Sequence, residues 1–186
     1  MSRLILCIAL CLATLAGCST PNYVDPNRVR VDFNAPYQLA SGDRLRVIVF
    51  GQDQLTNSYS IDGAGNFSMP LIGLVHAQAL TTTQVAGEIE GRLRQGYLRD
   101  PKVSVEVEAY RPFYVLGEVG VPGQYPYVNG MTVQNAVAIA GGFAPRGAQD
   151  SVDLTRIISG HPYTVDAPLT FAVRPGDTIN VRERFF

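Results

Sequence analysis

The sequence predicts an α+β fold, mainly β with two short covering helices. Three observations point there. The chain has no Trp but nine Tyr and eight Phe, aromatics that suit strands better than long helices. Short β-branched runs recur behind glycine-containing turns, several with the alternation of a half-buried strand. Only two segments carry helical spacing together with capping signals.

The first 17 residues stand apart from that fold. Arg3 supplies a positive start, Leu4 to Leu15 is apolar with Thr14 its only hydroxyl, and small residues lead to Cys18. An apolar run of about a dozen residues is too short to span a bilayer as a stable helix. Its layout is that of a cleavable export signal. Leu15-Ala16-Gly17-Cys18 also resembles the lipobox of bacterial lipoproteins, in which the cysteine sulfur is lipidated before cleavage. A signal peptide over 1–17 and lipidation of Cys18 are therefore expected. Each buried CH₂ contributes about 0.8 kcal/mol, so more than one acyl chain anchors stably. Ser19, where the Gram-negative sorting rule reserves Asp for inner-membrane retention, implies a lipid anchor in the outer membrane, facing the periplasm. Cys7 and Cys11 leave with the signal, which excludes a disulfide, a zinc cluster or a Cys nucleophile from the remainder.

Removing 17 residues from 186 leaves 169, enough for one sizeable domain or two small ones. Only Arg3 among the charged residues lies in the signal, so 14 basic face 16 acidic residues. No block of one sign suggests nucleic acid. Residues 18–36 read as a lipidated tether, broken by Pro21, Asp25, Pro26 and Asn27. Within it Arg28 to Phe33 alternates and is a candidate edge strand.

From Tyr37 the strands begin. Ser41-Gly42-Asp43 is a turn that introduces the apolar run Arg44 to Phe50. Ser58 to Ile61 and Asn66 to Met69 flank Asp62-Gly63-Ala64-Gly65, which predicts a hairpin. Thr81 and Gln84 have capping-box spacing, with Leu80 and Val85 at the staple positions. Val85, Ile89 and Leu93 then form one stripe, and Glu88–Arg92 and Glu90–Arg94 are i, i+4 pairs. Val103 to Tyr110 alternates, with Val103, Val105, Val107 and Ala109 on one face and Glu106 and Glu108 on the other. A second helix starts near Thr132, presents Val133, Ala136, Val137 and Ala140, and stops at Gly141-Gly142. Near the end, Pro175-Gly176-Asp177 before Thr178 to Val181 echoes Ser41-Gly42-Asp43 before its own strand. Duplication and plain turn chemistry both account for the echo.

In order along the chain, these motifs resemble the Wza-type polysaccharide export family of outer-membrane lipoproteins. Tyr37-x-Leu39-x-x-Gly42-Asp43-x-Leu45-x-Val47-x-Val49-Phe50, Asp62-Gly63, Pro70-Leu71-Ile72-Gly73-x-Val75 and Asp100-Pro101-Lys102-Val103-Ser104-Val105 are similar to its export domain. Tyr114-Val115-x-Gly117-x-Val119-x-x-Pro122-Gly123-x-Tyr125 and the helix ending at Gly141-Gly142 resemble its soluble ligand-binding β-grasp (SLBB) module. The resemblance implies an export domain over 37–110 and an SLBB-like β-grasp domain over 111–186. A partial second β-grasp unit built from the C-terminal strands is expected.

The resemblance further implies a ring homo-oligomer that conducts capsular or exopolysaccharide out of the periplasm, working with an inner-membrane polysaccharide co-polymerase. Larger members end in an amphipathic membrane helix. Here the sequence ends Glu183-Arg184-Phe185-Phe186, two Phe that read as a packing plug, so a separate outer-membrane β-barrel partner is expected. Ala79 stands where many relatives have glycine and is expected to be harmless. The alternative reading is a periplasmic binding module for a glycan or partner, with no conduit.

Enzyme readings find little support. His76 and His161 are the only histidines and lack metal-ligand spacing. Gly63-Ala64-Gly65 begins a dinucleotide fingerprint, but Ser68 holds the third glycine's place. Asp43, Asp62 and Asp177 sit in turns, where backbone hydrogen bonding explains them. No catalytic residue, cofactor or metal is predicted, and the ligand-binding residues stay unassigned.

Overall fold

The computed structural model describes residues 36–158 and 160–184. The signal peptide, Cys18, the tether with its candidate strand, and the Phe185-Phe186 plug all lie outside the described residues.

The first sheet has three antiparallel strands, with β1 (Arg44–Val49) between β2 (Asn57–Ser60) and β5 (Val103–Ala109). A hairpin of β3 (Asn66–Met69) and β4 (Gly73–His76) stands beside it, and helix α1 (Thr82–Arg94) packs on β5. Strand β1 alternates as its sequence dictates, burying Leu45, Val47 and Val49. Helix α1 starts on a complete Thr81–Gln84 capping box and buries Val85, Ile89 and Leu93 against the same core. Full burial of such side chains contributes about 1.5–3 kcal/mol each.

The second sheet has five strands in the order β7 (Gly123–Tyr125), β6 (Phe113–Gly117), β10 (Thr178–Val181), β8 (Ser151–Ile158), β9 (His161–Pro168). Only β6 and β10 run parallel. Helix α2 (Val133–Ile139) starts on a Thr132–Asn135 capping box and ends where Gly141 and Gly142 take φ of 83° and 80°. There the Gly142 N–H reaches back to the Val137 carbonyl at 2.9 Å, the left-handed stop its paired glycines predict. Val133, Ala136 and Val137 join Phe113, Val152 and Ile179 in a second core.

Five expectations are corrected. The predicted hairpin of Ser58–Ile61 with Asn66–Met69 does not form. The Asp62 carboxylate accepts from the N–H groups of Ala64 and Asn66, each at 2.9 Å, and the chain leaves that turn into a different sheet. Asn66–Met69 pairs forward with β4 instead. Glu90 does not pair with Arg94; it accepts from the Val103 N–H at 2.9 Å, tying α1 to β5. Ala109 is exposed, because a register shift between Arg44 and Leu45 breaks the alternation at the end of β5. The C-terminal strands build no partial second β-grasp unit, since β10 inserts into the sheet that β6 began. Ala79, expected to be harmless, sits at φ 62°, held there by bonds from its N–H to Leu39 and from Leu80 to Ala77. A Cβ in that left-handed region is strained, so Ala79 is not harmless to the backbone.

Candidate functional site at the junction of the two cores

Tyr110, Arg111 and Pro112 connect β5 to β6, and the two Gly-Asp turns meet at this link. Gly42 has φ 91° and Gly176 has φ 84°, conformations open to glycine. In each turn the Asp N–H bonds the carbonyl three residues back, at 3.1 Å for both Asp43 to Ala40 and Asp177 to Arg174. Each carboxylate then accepts from the N–H of that same residue, at 2.9 Å from Ala40 and 2.7 Å from Arg174. Both aspartates are buried.

Beyond this shared frame they differ. Asp43 accepts from the Tyr37 hydroxyl at 2.7 Å and the Arg111 N–H at 2.9 Å, with the Arg111 guanidinium 3.6 Å away. Asp177 takes a two-point grip from Arg156, Nε at 2.9 Å and Nη2 at 2.6 Å. Arg156 is itself buried, lies 5.7 Å from the Phe171 ring centroid, and donates to the Ala172 carbonyl at 3.0 Å. Its Nη1 has no hydrogen-bond partner among the described residues.

Arg111 lies between the turns. A Cβ on Gly42 would meet Arg111 Cβ at 3.4 Å, and one on Gly176 would meet Arg111 Nε at 2.6 Å. The guanidinium also donates to the Tyr37 hydroxyl oxygen at 3.0 Å. Tyr110 stands edge-on to Tyr37 and to Tyr127, with centroids 5.0 and 5.4 Å apart, and Asn129 donates to its hydroxyl at 3.1 Å. Burial, and then the bond to Asp43, push the Tyr37 phenol well above its ordinary range, against the pull of Arg111. Burial raises Tyr127 as well. The Asp oxygens are occupied by fixed donors, so the cluster sets backbone geometry and locks the link between the cores.

The other sequence candidates fall elsewhere. His76 Nδ1 contacts Asn66 Oδ1 at 2.9 Å on the hairpin, and His161 is exposed on β9. Gly63-Ala64-Gly65 belongs to the Asp62 turn. Glu106 and Glu108 are exposed on β5; Glu108 accepts from Arg44 at 2.6 Å. Bonds from the Ser58 hydroxyl, then from Arg44, hold its carboxyl below the usual range. Among the described residues no group of three or more His, Cys, Asp or Glu could hold a metal ion. The reading of the sequence missed Arg156. Its signal is parity: on β8 it follows Val152 and Leu154 on the inward face, where a charge needs a buried partner. A cleft of about 410 Å³ opens beside the junction, between Pro36–Tyr37, the start of α1 and Val105–Val107.

The architecture is that of two modules in series, a strand-and-helix module followed by a β-grasp sheet. Residues 32–108 match the polysaccharide biosynthesis/export protein family, and residues 112–167 match the SLBB domain. The chain therefore carries a polysaccharide biosynthesis/export domain with an SLBB domain behind it. It is 39% identical over 121 residues to the exopolysaccharide production protein ExoF of Rhizobium meliloti (strain 1021), covering 64% of this chain and 27% of that one. It is 27% identical over 129 residues to the polysialic acid transport protein KpsD of Escherichia coli, covering 68% and 23%. The chain thus spans about a quarter of the length of these relatives.

Proposed function

We propose that this protein is a subunit of an outer-membrane-associated conduit that carries capsular or exopolysaccharide out of the periplasm. The observation that carries this reading is the order of the two matches, an export domain at 32–108 followed directly by an SLBB domain at 112–167. Relatives named for exopolysaccharide production and polysialic acid transport support it. In this reading Cys18 is the lipid anchor, the subunit closes into a homo-oligomeric ring, and an inner-membrane polysaccharide co-polymerase feeds the polymer. No helix among the described residues is long and apolar enough to cross a membrane, and the crossing is assigned to a separate outer-membrane β-barrel. Deleting the gene should abolish output of one surface or secreted polysaccharide while leaving general secretion intact. Unchanged polysaccharide from a clean deletion, with no paralogue expressed, would refute the proposal.

A further inference from the structure

Strand β5 is an edge: β1 pairs with one side, and among the described residues no strand pairs with the other. Two hydrogen bonds show which backbone groups face the free side. The Lys102 carbonyl accepts from the Phe50 N–H at 3.0 Å, so residue 102 faces β1. Successive residues of a strand aim their N–H and C=O groups to opposite sides. Val103 therefore faces away, and its N–H meets Glu90 at 2.9 Å. By the same alternation the N–H and C=O groups of Val105 and Val107 point to the free edge, where the cleft lies. The register shift that ends regular pairing comes only after Val107.

A bare edge of this kind is a template for an added strand. The side chains say which strand fits. Val105 and Val107 turn inward, while Glu106 and Glu108 are exposed. Residues 28–33 read Arg-Val-Arg-Val-Asp-Phe. Laid antiparallel with Val31 opposite Val105, the segment brings Val29 to Val107, Arg30 to Glu106, Arg28 to Glu108 and Asp32 to Ser104. Laid parallel from the same pair, it sets Asp32 opposite Glu106, and like charges directly opposed destabilise a sheet. Six residues at about 3.3 Å each also match the length of the seven-residue β5.

The connection decides which copy supplies the strand. Pro36 already lines the cleft beside Val105–Val107, and Tyr37 stands against Tyr110. Within one chain, an antiparallel segment ending at Val103 would have to return to Pro36 through Asn34 and Ala35 alone. A two-residue reversal calls for positive φ at both positions, which favours glycine or Asn, and Ala35 is neither. A neighbouring copy needs no such reversal. We propose that residues 28–33 of one copy add as an antiparallel fourth strand to β5 of the next, joining subunits head to tail. Such a contact closes into a ring when its rotation permits. The inference rests on the ring reading above and supplies its contact.

Glu108 is shared with Arg44, and Glu106 has Arg46 as its neighbour on β1, so Arg30 with Glu106 is the pair to test. It falls at a non-hydrogen-bonded position, where Cα atoms approach to about 4.5 Å, within disulfide range. Full-length protein carrying Arg30→Cys and Glu106→Cys, oxidised in its membranes, should run on non-reducing gels as a ladder of dimers and higher multiples. Neither single substitution should give the ladder. A disulfide confined to monomers, or none, overturns the exchange. Native mass of the unsubstituted protein separates the two ideas: an oligomer without the ladder rejects the exchange and leaves the ring, while a monomer rejects both. Glu106→Arg should cause loss of the oligomer, and adding Arg30→Glu should restore it; no restoration overturns the register.

Discussion

The two Gly-Asp turns share a backbone and differ in what they hold. Asp43 serves neutral donors, with Arg111 at the rim and 27% of its side chain exposed. Asp177 neutralises a buried Arg156, whose side chain is 7% exposed. One local solution, a glycine at positive φ and a carboxylate folded back on its own turn, therefore meets two electrostatic demands. The first is a hydrogen-bonding task, whereas the second is the compensation of a desolvated charge. The turn itself is cheap to build; the partner decides what its loss costs.

Removing the second carboxylate should have the largest effect. Asp177→Ala leaves Arg156 buried and uncompensated, a change that costs about 3–5 kcal/mol. It should appear as a lowered urea midpoint, and adding Arg156→Met should recover most of the loss. If Asp177→Ala alone is tolerated, the buried pair is not what distinguishes the turns. Asp43→Ala should cost less, about 1–3 kcal/mol from donors left unsatisfied, because the Arg111 side chain can turn to water. A loss equal to that of Asp177→Ala would erase the contrast.

Ala79→Gly tests strain outside either turn. Relief of a left-handed Cβ should stabilise the protein by about 1 kcal/mol, read from the same urea curves. The smallest effect near neutral pH belongs to Tyr37. Its phenol is neutral in both states below the ordinary value of about 10, so its contribution is fully present there. Above that pH the unfolded chain ionises while the buried phenol resists. Stability should therefore fall as pH rises past about 10. Tyr37→Phe should flatten that alkaline slope, and an unchanged slope would mean Tyr37 does not govern it.

Much of this was legible in the residues. The caps at Thr81 and Thr132, the Val85–Ile89–Leu93 stripe and the paired-glycine stop are local signals, and each formed as its spacing required. The echo of Gly42-Asp43 in Gly176-Asp177 was visible, and the matching hydrogen bonds give it a physical content that letters alone lacked. What the sequence hid was non-local. Whether Asn66–Met69 pairs backward or forward depends on which sheet completes itself first in energy, and alternation is the same for both. The Arg156–Asp177 pair links β8 to the turn before β10, an adjacency that no local period encodes. Arg111 sits between two turns that lie far apart in the chain, so its place could be read only from the fold.

The position of β10 has a consequence for how the molecule comes into being. It is the last strand described, yet it occupies the middle of its sheet, between β6 and β8. A chain delivered from its N-terminus can assemble β1 to β5 early, from its own residues. The five-stranded sheet must wait for Thr178 to Val181, because until then β6 and β8 face each other across an empty lane. Long-range parallel pairing of this kind is slow to form, and the waiting strands carry open edges that invite wrong partners. Strand order thus makes the second module the half that closes last.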